Sequence, residues 1–497
     1  MGEFPFVSVR EPTWLLYVAV LVIAIYFRFT RVFTIRNLDL ILLLLISTAS
    51  ILIVDYKDKV SPEVMSSTTA AAEQGTESSF PAVEDQNTAS EAAATRKHPV
   101  YVWSSIVLLV LSVLLLVRLI FDESLTRRPR FEQNLNQAGL LFLCIPAFAI
   151  LMTGALKDKP ADSTVKAMEH ARALLDRKDV PVDPDQPKDA QPAPTETLIA
   201  AGGAAVAQLS GSLPKSASVE TKQALAVEEI IARVLVVLAH STVILGLMLI
   251  GKQHFASLQL GIAMSCLYLL LPCTAANVHK LNHVLPAACL VWALASYRRP
   301  MVSGILLGFA CGTLFFAVFL IPLWTVFYGR RGGLRFLVSV MGVAVVLITA
   351  LLMISGDASS LFNKLSSTAN WTVYRLLDDS MPVDSSIGQL FVRIPMAAIF
   401  FVMLTAMTVL PRPRNLENLL ANSTCLVVAA QLWYPDDIGS YVLWYLPLFL
   451  LVIFRPRLDR FTPPEIVGRQ AEVIASGTPV SPTSSTVAMN RLSLLGK

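Results

Sequence analysis

The sequence has few charged residues for its length. Lysine, arginine, aspartate and glutamate make up 15% of its 497 residues, whereas soluble globular domains carry about 25%. This scarcity excludes an ordinary soluble protein. The apolar residues, 54% of the chain, are gathered into runs of about 17–25, the length of a helix that crosses a hydrocarbon core about 30 Å thick. We therefore predict an all-α fold, a polytopic transmembrane helical bundle.

Several chemical signatures are also missing. None of the 6 cysteines belongs to a CxxC pair, and all lie in or beside apolar runs, so we predict small core residues and no disulfides. Basic residues are not interleaved with aromatic residues on one face, which argues against a nucleic-acid partner. No cofactor motif is present, and we predict no cofactor and no metal. The partners that remain are membrane lipids and lipid-borne substrates.

The distribution of arginine predicts the orientation of the helices. Arginine or lysine follows every second apolar run, and such groups mark cytoplasmic loops. This pattern places the N-terminus outside and the C-terminus in the cytoplasm of a multi-pass membrane protein, in the plasma membrane if the source is bacterial. The apolar runs cover 13–27, 38–54, 99–121, 138–155, 230–250, 255–273, 281–297, 301–327, 336–355, 391–410, 417–433 and 438–454.

The run 301–327 breaks this alternation. Arg298 and Arg299 precede it and Arg330 and Arg331 follow it, so both flanks have cytoplasmic character. Glycines and a proline interrupt the run, which favours a hairpin of two short helices that enters the membrane and returns. Irregular backbone at that depth requires surrounding protein. The sequence thus predicts about 11 crossings plus one hairpin; a single long helix is the alternative.

Polar segments divide the chain further. Two lie outside by the predicted topology and one at the C-terminal end, and their composition is typical of disorder or of short helices joined by a proline-rich linker. The predicted organisation is a first helix pair (1–55), a disordered outer loop (56–98), a second helix pair (99–155), an outer segment with short helices and a proline-rich linker (156–225), the main transmembrane bundle (226–455) and a disordered cytoplasmic tail (456–497).

One short polar loop between two apolar runs is a candidate binding site. His279, Lys280, Asn282 and His283 gather hydrogen-bond donors and acceptors at the outer mouth of two helices. Such groups suit an anionic head group such as phosphate. A metal site is less favoured because no carboxylate or third histidine lies nearby in the sequence. The alternative is a solvated loop without a ligand.

Two single residues are further candidates. Asp55 ends the second apolar run, where a partly desolvated carboxylate could serve as a general base; the alternative is a helix-end acid that faces water. His240 lies inside the run 230–250. An ionisable group at membrane depth is costly, which suggests a proton relay or a polar cavity. A neutral histidine hydrogen-bonded to a neighbouring helix is the alternative.

The last outer loop combines aromatic and acidic residues. Asp436, Asp437 and Tyr441 lie within WYPDDIGSYVLWY. Aromatic faces beside carboxylates suit carbohydrate, because sugars stack on rings and donate hydroxyl hydrogens. An aromatic belt that anchors helices at the membrane surface is the alternative.

The stretch 277–324 resembles polyprenol-phosphate-dependent glycosyltransferases of the GT-C superfamily, and most of all the family 87 mannosyltransferases. Asn282 matches an asparagine of their polar turn, and Arg298 and Arg299 match a basic pair. Gly304, Gly308 and Pro322 match the glycines and proline that follow. The ending YPDDIGSYVLWYLPLFLL is similar to the tyrosine-rich last outer loop of the same enzymes. The chain departs from the family at Thr313 and Leu314, where members usually carry a lysine.

The resemblance implies an activity. Such enzymes transfer a hexose or pentose from a lipid-linked sugar donor to an extracytoplasmic acceptor with inversion. Asp55 would then be the catalytic base, although its loop is predicted to be disordered where the family's is structured. His279, Lys280, Asn282 and His283, with Asp436, Asp437 and Tyr441, would bind substrate. A transporter or lipid-handling protein without covalent chemistry, and a membrane scaffold, are the competing interpretations.

Overall fold

Helices account for all regular secondary structure in the described part of the chain. The computed structural model describes residues 12–72, 99–122, 133–178, 180, 192–211, 222–355, 360–362, 364, 383–410, 413–433, 441–458 and 460–464. These residues contain no strand, which confirms the predicted all-α fold. The helices belong to a unit that ends at Pro463.

The helices follow the apolar runs of the sequence. They are α1 (Pro12–Tyr26), α2 (Ile35–Ala72), α3 (Pro99–Ile120), α4 (Gln137–Lys157), α5 (Asp162–Asp176), α6 (Pro194–Leu209), α7 (Lys222–Gln253), α8 (Leu258–Leu270), α9 (Pro272–Ala276), α10 (Leu281–Ala295), α11 (Pro300–Cys311), α12 (Leu320–Met353), α13 (Val383–Val409), α14 (Leu416–Trp433) and α15 (Val442–Phe454).

Helix extends further into the first polar segment than its composition indicates, and the second polar segment contains two short helices, α5 and α6. Helix α2 continues to Ala72, beyond the boundary at residue 55 that hydropathy predicts. In the segment 156–225, α5 and α6 pack through alanines against α7, with Ala167, Ala171 and Ala204 all buried. Small side chains let these helices approach closely. A buried ion pair of 2.5 Å joins Arg172 of α5 to Glu228 of α7.

The surface of the bundle shows that the protein is embedded in a membrane. Among the residues that the structure describes, five helices are long and apolar enough to cross a bilayer, and shorter apolar helices accompany them. Large apolar side chains cover their outward faces, among them Phe142 (80% exposed), Val402 (69%) and Val338 (60%). A continuous apolar surface of this kind aggregates in water, whereas hydrocarbon solvates it. At the centre, α15 is buried on every side.

Buried charges join four helices at one end of the bundle. Arg118 of α3 donates to both oxygens of Asp39 of α2, at 2.5 and 2.8 Å, and also to Asp122. Arg455, just after α15, contacts Asp122 and Glu417 of α14. All of these side chains are buried except that of Glu417, which is mostly buried. We call this end of the bundle the basic end.

The interrupted run 301–327 forms the predicted hairpin. The Tyr328 hydroxyl, at the end of the returning arm, donates to the Tyr297 carbonyl, just before the first arm, at 2.8 Å. Both flanks of the hairpin therefore lie together. They are at the basic end, because Arg298 lies over the Phe461 ring, and the Phe461 carbonyl accepts from the Leu416 amide, next to Glu417 of the network. Gly329 then bends α12 through a backbone conformation with φ 68° and ψ −170°, which favours glycine because it has no Cβ. Beyond this bend, α12 crosses the bundle again.

Glycines let the first arm of the hairpin lie against the second half of α12. Gly304 faces Phe336 and Ser339, and further along α11 Gly308 faces Val343. The two helices therefore run parallel, as a hairpin followed by a crossing requires. The hairpin tip is enclosed by protein, since Thr313, Phe316 and Ala317 are buried. This enclosure satisfies the condition for irregular backbone at membrane depth.

We expect Gly304→Ala to lower the free energy of unfolding by about 1–3 kcal/mol, the usual cost of overpacking a tight contact. A Cβ at Gly304 would lie 2.5 Å from the Phe336 carbonyl oxygen and against the Ser339 hydroxyl. Thermal unfolding in detergent micelles measures the change. Gly342→Ala is the matched control, because a Cβ there meets nothing within 4 Å. Equal melting temperatures for the two variants would contradict the close packing.

Candidate functional site

The end of the bundle opposite the basic end gathers most of the described candidate residues. Ile51 and Val54 of α2 pack against Ala276 at the end of the short helix α9. The Cys273 amide of α9 donates to the Ser47 hydroxyl of α2 at 2.9 Å. These contacts place the end of α2, with Asp55, beside the loop that joins α9 to α10. Asp55 itself is half-buried.

His240 holds this loop in place. Its Nε2 donates to the Val278 carbonyl at 3.1 Å, and its Nδ1 lies 2.9 Å from the Tyr268 hydroxyl. A carbonyl only accepts, so the proton is on Nε2 and Nδ1 accepts from the tyrosine. Of the two interpretations of His240, the structure shows the hydrogen-bonded one. Both ring nitrogens are occupied, so His240 positions the loop and does not face a cavity.

His283 is part of a buried aromatic cluster. The Trp444 indole nitrogen of α15 donates to His283 Nδ1 at 2.6 Å, and the two rings stack with centroids 5.7 Å apart. Phe316 of the hairpin tip stacks on Trp444 at 4.5 Å, and Tyr441 packs beside it at 4.4 Å. The structure therefore brings His283 and Tyr441 together with the hairpin tip. Both side chains are buried.

The segment that precedes and opens α10 contains polar atoms that are buried without a partner. These are the Thr274 hydroxyl, Asn277 Oδ1 and Asn282 Oδ1. The amide group of Asn277 donates to the Cys273 carbonyl at 3.1 Å, so its orientation leaves Oδ1 as an acceptor. Buried polar atoms nearly always have a protein, water or ligand partner. Two acceptors and a hydroxyl in one short segment suit a ligand rich in hydroxyl groups.

The remaining predicted site residues differ in their surroundings. His279 and Lys280 are half-buried in the loop, and the Lys280 amide closes the turn by donating to the Asn277 carbonyl at 3.2 Å. Asp436 and Asp437 lie outside the described residues. Within the described ranges, no three His, Cys, Asp or Glu side chains could hold a metal ion.

Glu196 was not a candidate from the sequence. It lies at the start of α6, which contacts the hairpin tip: the Thr195 amide donates to the Gly312 carbonyl at 3.1 Å, and the Thr195 hydroxyl donates to the Phe309 carbonyl at 2.8 Å. Glu196 Oε2 accepts from the Ala193 amide at 3.4 Å, whereas Oε1 is buried without a partner. Burial raises the pKa of Glu196 to about 7.

We expect Glu196 to make the protein less stable as the pH rises. An unfolded glutamate loses its proton near pH 4.5 and the folded one near pH 7, so the folded state binds more protons between these values. Stability then falls by about 3 kcal/mol across this window and levels off above it. Glu196→Gln should remove this component of the pH dependence of the melting temperature. Glu229→Gln, at an exposed position, is the control and should leave the dependence unchanged.

Two features of the structure had weak signals in the sequence. Glu196 follows a proline-rich stretch and looks like an ordinary acidic residue in the first turn of a helix. The aromatic cluster joins residues far apart in the chain, which hydropathy does not pair.

Comparison with protein-family models, with curated proteins and with solved structures finds no significant match.

Proposed function

We propose that this protein is an integral membrane transferase that moves a sugar from a lipid-phosphate donor to an acceptor hydroxyl. The observation that carries the proposal is the set of buried, unpartnered atoms of Thr274, Asn277 and Asn282 beside the end of α2. Sugar hydroxyls would donate to the two asparagine oxygens, and Thr274 could donate or accept. The sequence resemblance to lipid-phosphate-dependent glycosyltransferases, which includes Asn282, supports the same activity.

The roles of the residues follow from their chemistry. Asp55 accepts the proton of the acceptor hydroxyl, whose oxygen forms a bond to the anomeric carbon of the sugar. The bond from that carbon to the phosphate oxygen breaks, and its electron pair leaves with the lipid phosphate. A single displacement of this kind inverts the anomeric centre. His279 and Lys280 stabilise the negative charge that gathers on the departing phosphate.

The other candidates take supporting roles in this proposal. His283 fixes the Trp444 ring through its hydrogen bond, so it shapes the wall of the site. Tyr441 belongs to the same wall. Asp436 and Asp437, which lie outside the described residues, keep the substrate-binding role that the sequence suggests. In this proposal α2 supplies the base, the loop that joins α9 to α10 binds the donor phosphate, and the start of α15 supplies the aromatic wall.

The proposed orientation places the basic end in the cytoplasm, because arginine-rich loops remain on that side. We expect Arg331→Cys and Arg457→Cys, both at exposed positions, to react with a membrane-impermeant maleimide only from the cytoplasmic side. The native cysteines are buried or half-buried and give a low background. Labelling of the two positions from opposite sides would contradict the hairpin. Labelling of both from outside would overturn the orientation and leave the hairpin intact.

Reconstitution tests the proposed activity directly. The purified chain in liposomes should transfer radiolabelled sugar from a polyprenol-phosphate donor to a soluble acceptor glycoside, with release of polyprenol phosphate. The product should have the inverted anomeric configuration by NMR. A panel of hexose and pentose donors identifies the sugar. Accumulation of unmodified substrate inside the liposomes, without a transfer product, would instead indicate a transporter.

A further inference from the structure

A cavity lies between the returning arm of the hairpin and helices α13 and α14, away from the candidate site. It has a volume of about 410 Å³ and is lined by the returning arm of the hairpin, the end of α13 and the start of α14. Small-molecule sites have volumes of about 300–1,000 Å³. The hairpin arm that lines it ends at Tyr328, whose hydroxyl contacts Tyr297, so the cavity is at the basic end of the bundle.

The cavity has a polar side and an apolar side. Asn418 and Asn422 lie one turn apart on α14 and Asn415 lies just before it, and all three line the cavity together with Arg414. The opposite wall consists of apolar side chains such as Phe327. A ligand that fills this space must carry both a polar group and hydrocarbon.

The charge of the cavity favours an anion. Arg414 is exposed, and its guanidinium lies against the backbone at Gly329, where a Cβ would be 3.0 Å from Nη1. No carboxylate is among the described lining residues. The nearest acid along α14, Glu417, points away into the buried network with Arg455 and accepts from the Leu458 amide at 3.1 Å. Arginine matches phosphate oxygens with two parallel hydrogen bonds.

The mouth of the cavity indicates where the ligand comes from. Val326, Val409 and Leu410 line it and are exposed, by 38%, 72% and 54%. These side chains belong to the apolar surface that faces hydrocarbon. A chain that leaves the cavity at this point continues along the protein surface within the bilayer.

We propose that this cavity binds the head group of an anionic phospholipid from the leaflet at the basic end. Arg414 binds the phosphate, and the acyl chains leave past Val326 and Leu410. The Asn418 side chain, whose Nδ2 donates to the Pro413 carbonyl at 3.1 Å, faces the polar part of the head group with its Oδ1, next to Asn422. The site is independent of the proposed transfer chemistry, because it lies at the other end of the bundle and shares no residue with that site.

Native mass spectrometry of the purified full-length chain tests the proposal. Phosphatidylglycerol should bind in one copy and more tightly than phosphatidylcholine. Arg414→Gln should weaken the binding of phosphatidylglycerol about tenfold, the loss expected for one charge-assisted contact. Arg457→Gln is the matched control, since Arg457 is exposed at the same end and does not line the cavity. It should leave binding unchanged.

A second variant and a second ligand complete the test. The variant provides a result even if Arg414→Gln does not fold, and the ligand shows whether the acyl chains are needed. Thr408→Trp fills the cavity from its wall and should also prevent binding, so the test stands even if the arginine variant unfolds. Glycerol 3-phosphate carries the phosphate without acyl chains and should bind far more weakly than the lipid. Equal affinity for the two would overturn the assignment to a lipid. If Arg414→Gln and Thr408→Trp both bind phosphatidylglycerol as tightly as the wild type, the site is overturned. A loss of affinity in Arg457→Gln as large as that in Arg414→Gln would also overturn it.

Discussion

Replacing Asp55 by asparagine is expected to lower the rate of sugar transfer by about 10²–10⁴-fold, the contribution typical of a general base. Asparagine keeps the size and hydrogen-bonding shape of the side chain but cannot accept the proton of the acceptor hydroxyl. The KM for the donor should change little, because Asp55 acts on the acceptor. The side chain is only half-buried, so the substitution should leave the melting temperature of the protein unchanged. Transfer in reconstituted liposomes measures the effect.

Asp162→Asn is the control for the change in charge. Asp162 is exposed and pairs with Lys159 at 3.3 Å, and such surface pairs contribute little to stability. Its rate of transfer should equal that of the wild type. Undiminished transfer by Asp55→Asn would remove Asp55 from the mechanism and require another base near the loop 277–283.

The helices and the hairpin could be predicted from the sequence because both have local signals. A helix that crosses the membrane requires a continuous apolar run. Each of the apolar runs, from 13–27 to 438–454, corresponds to helix in the described residues. The hairpin was visible because arginines flank the run 301–327 on both sides. The extension of α2 to Ala72 could not be predicted in this way. Its composition is polar, and helical structure there has no hydropathy signal.

The candidate site was predictable only in part. The loop 277–283 stood out because polar residues cluster between two apolar runs. The residues that hold this loop in place did not stand out. His240 and Val278 are 38 positions apart in the sequence, and Trp444 and His283 are 161 positions apart. Such pairs depend on which helices are neighbours, and periodicity alone does not specify that. The prediction that His283 binds substrate depends on its residue type alone and stays a prediction, while the structure adds that its buried ring stacks on Trp444.

The buried network at the basic end also joins residues that are far apart in the chain, so the sequence alone does not predict it. Arg455 looks like one of several loop arginines after the last apolar run, yet its side chain is fully buried between Asp122 and Glu417. Arg455→Met should lower the free energy of unfolding by about 3–5 kcal/mol, because it removes the cation that Glu417 contacts and leaves Asp122 paired with Arg118 alone. Thermal or denaturant unfolding in micelles measures the loss. Arg457→Met, two positions along and exposed, should change stability by less than about 0.5 kcal/mol.

A double variant separates the ionic contribution from the loss of packing. Asp122→Asn removes one of the two carboxylates that Arg455 contacts, so Arg455→Met combined with Asp122→Asn should be less destabilised than the sum of the two single variants, by about 0.5–3 kcal/mol. Strictly additive effects would mean that Arg455 acts only by filling space. Coupling would show that the network clamps α14 and α15 to α3, and through Arg118 and Asp39 to α2. Four helices that are distant in sequence would then depend on one chain of charges to fix the basic end.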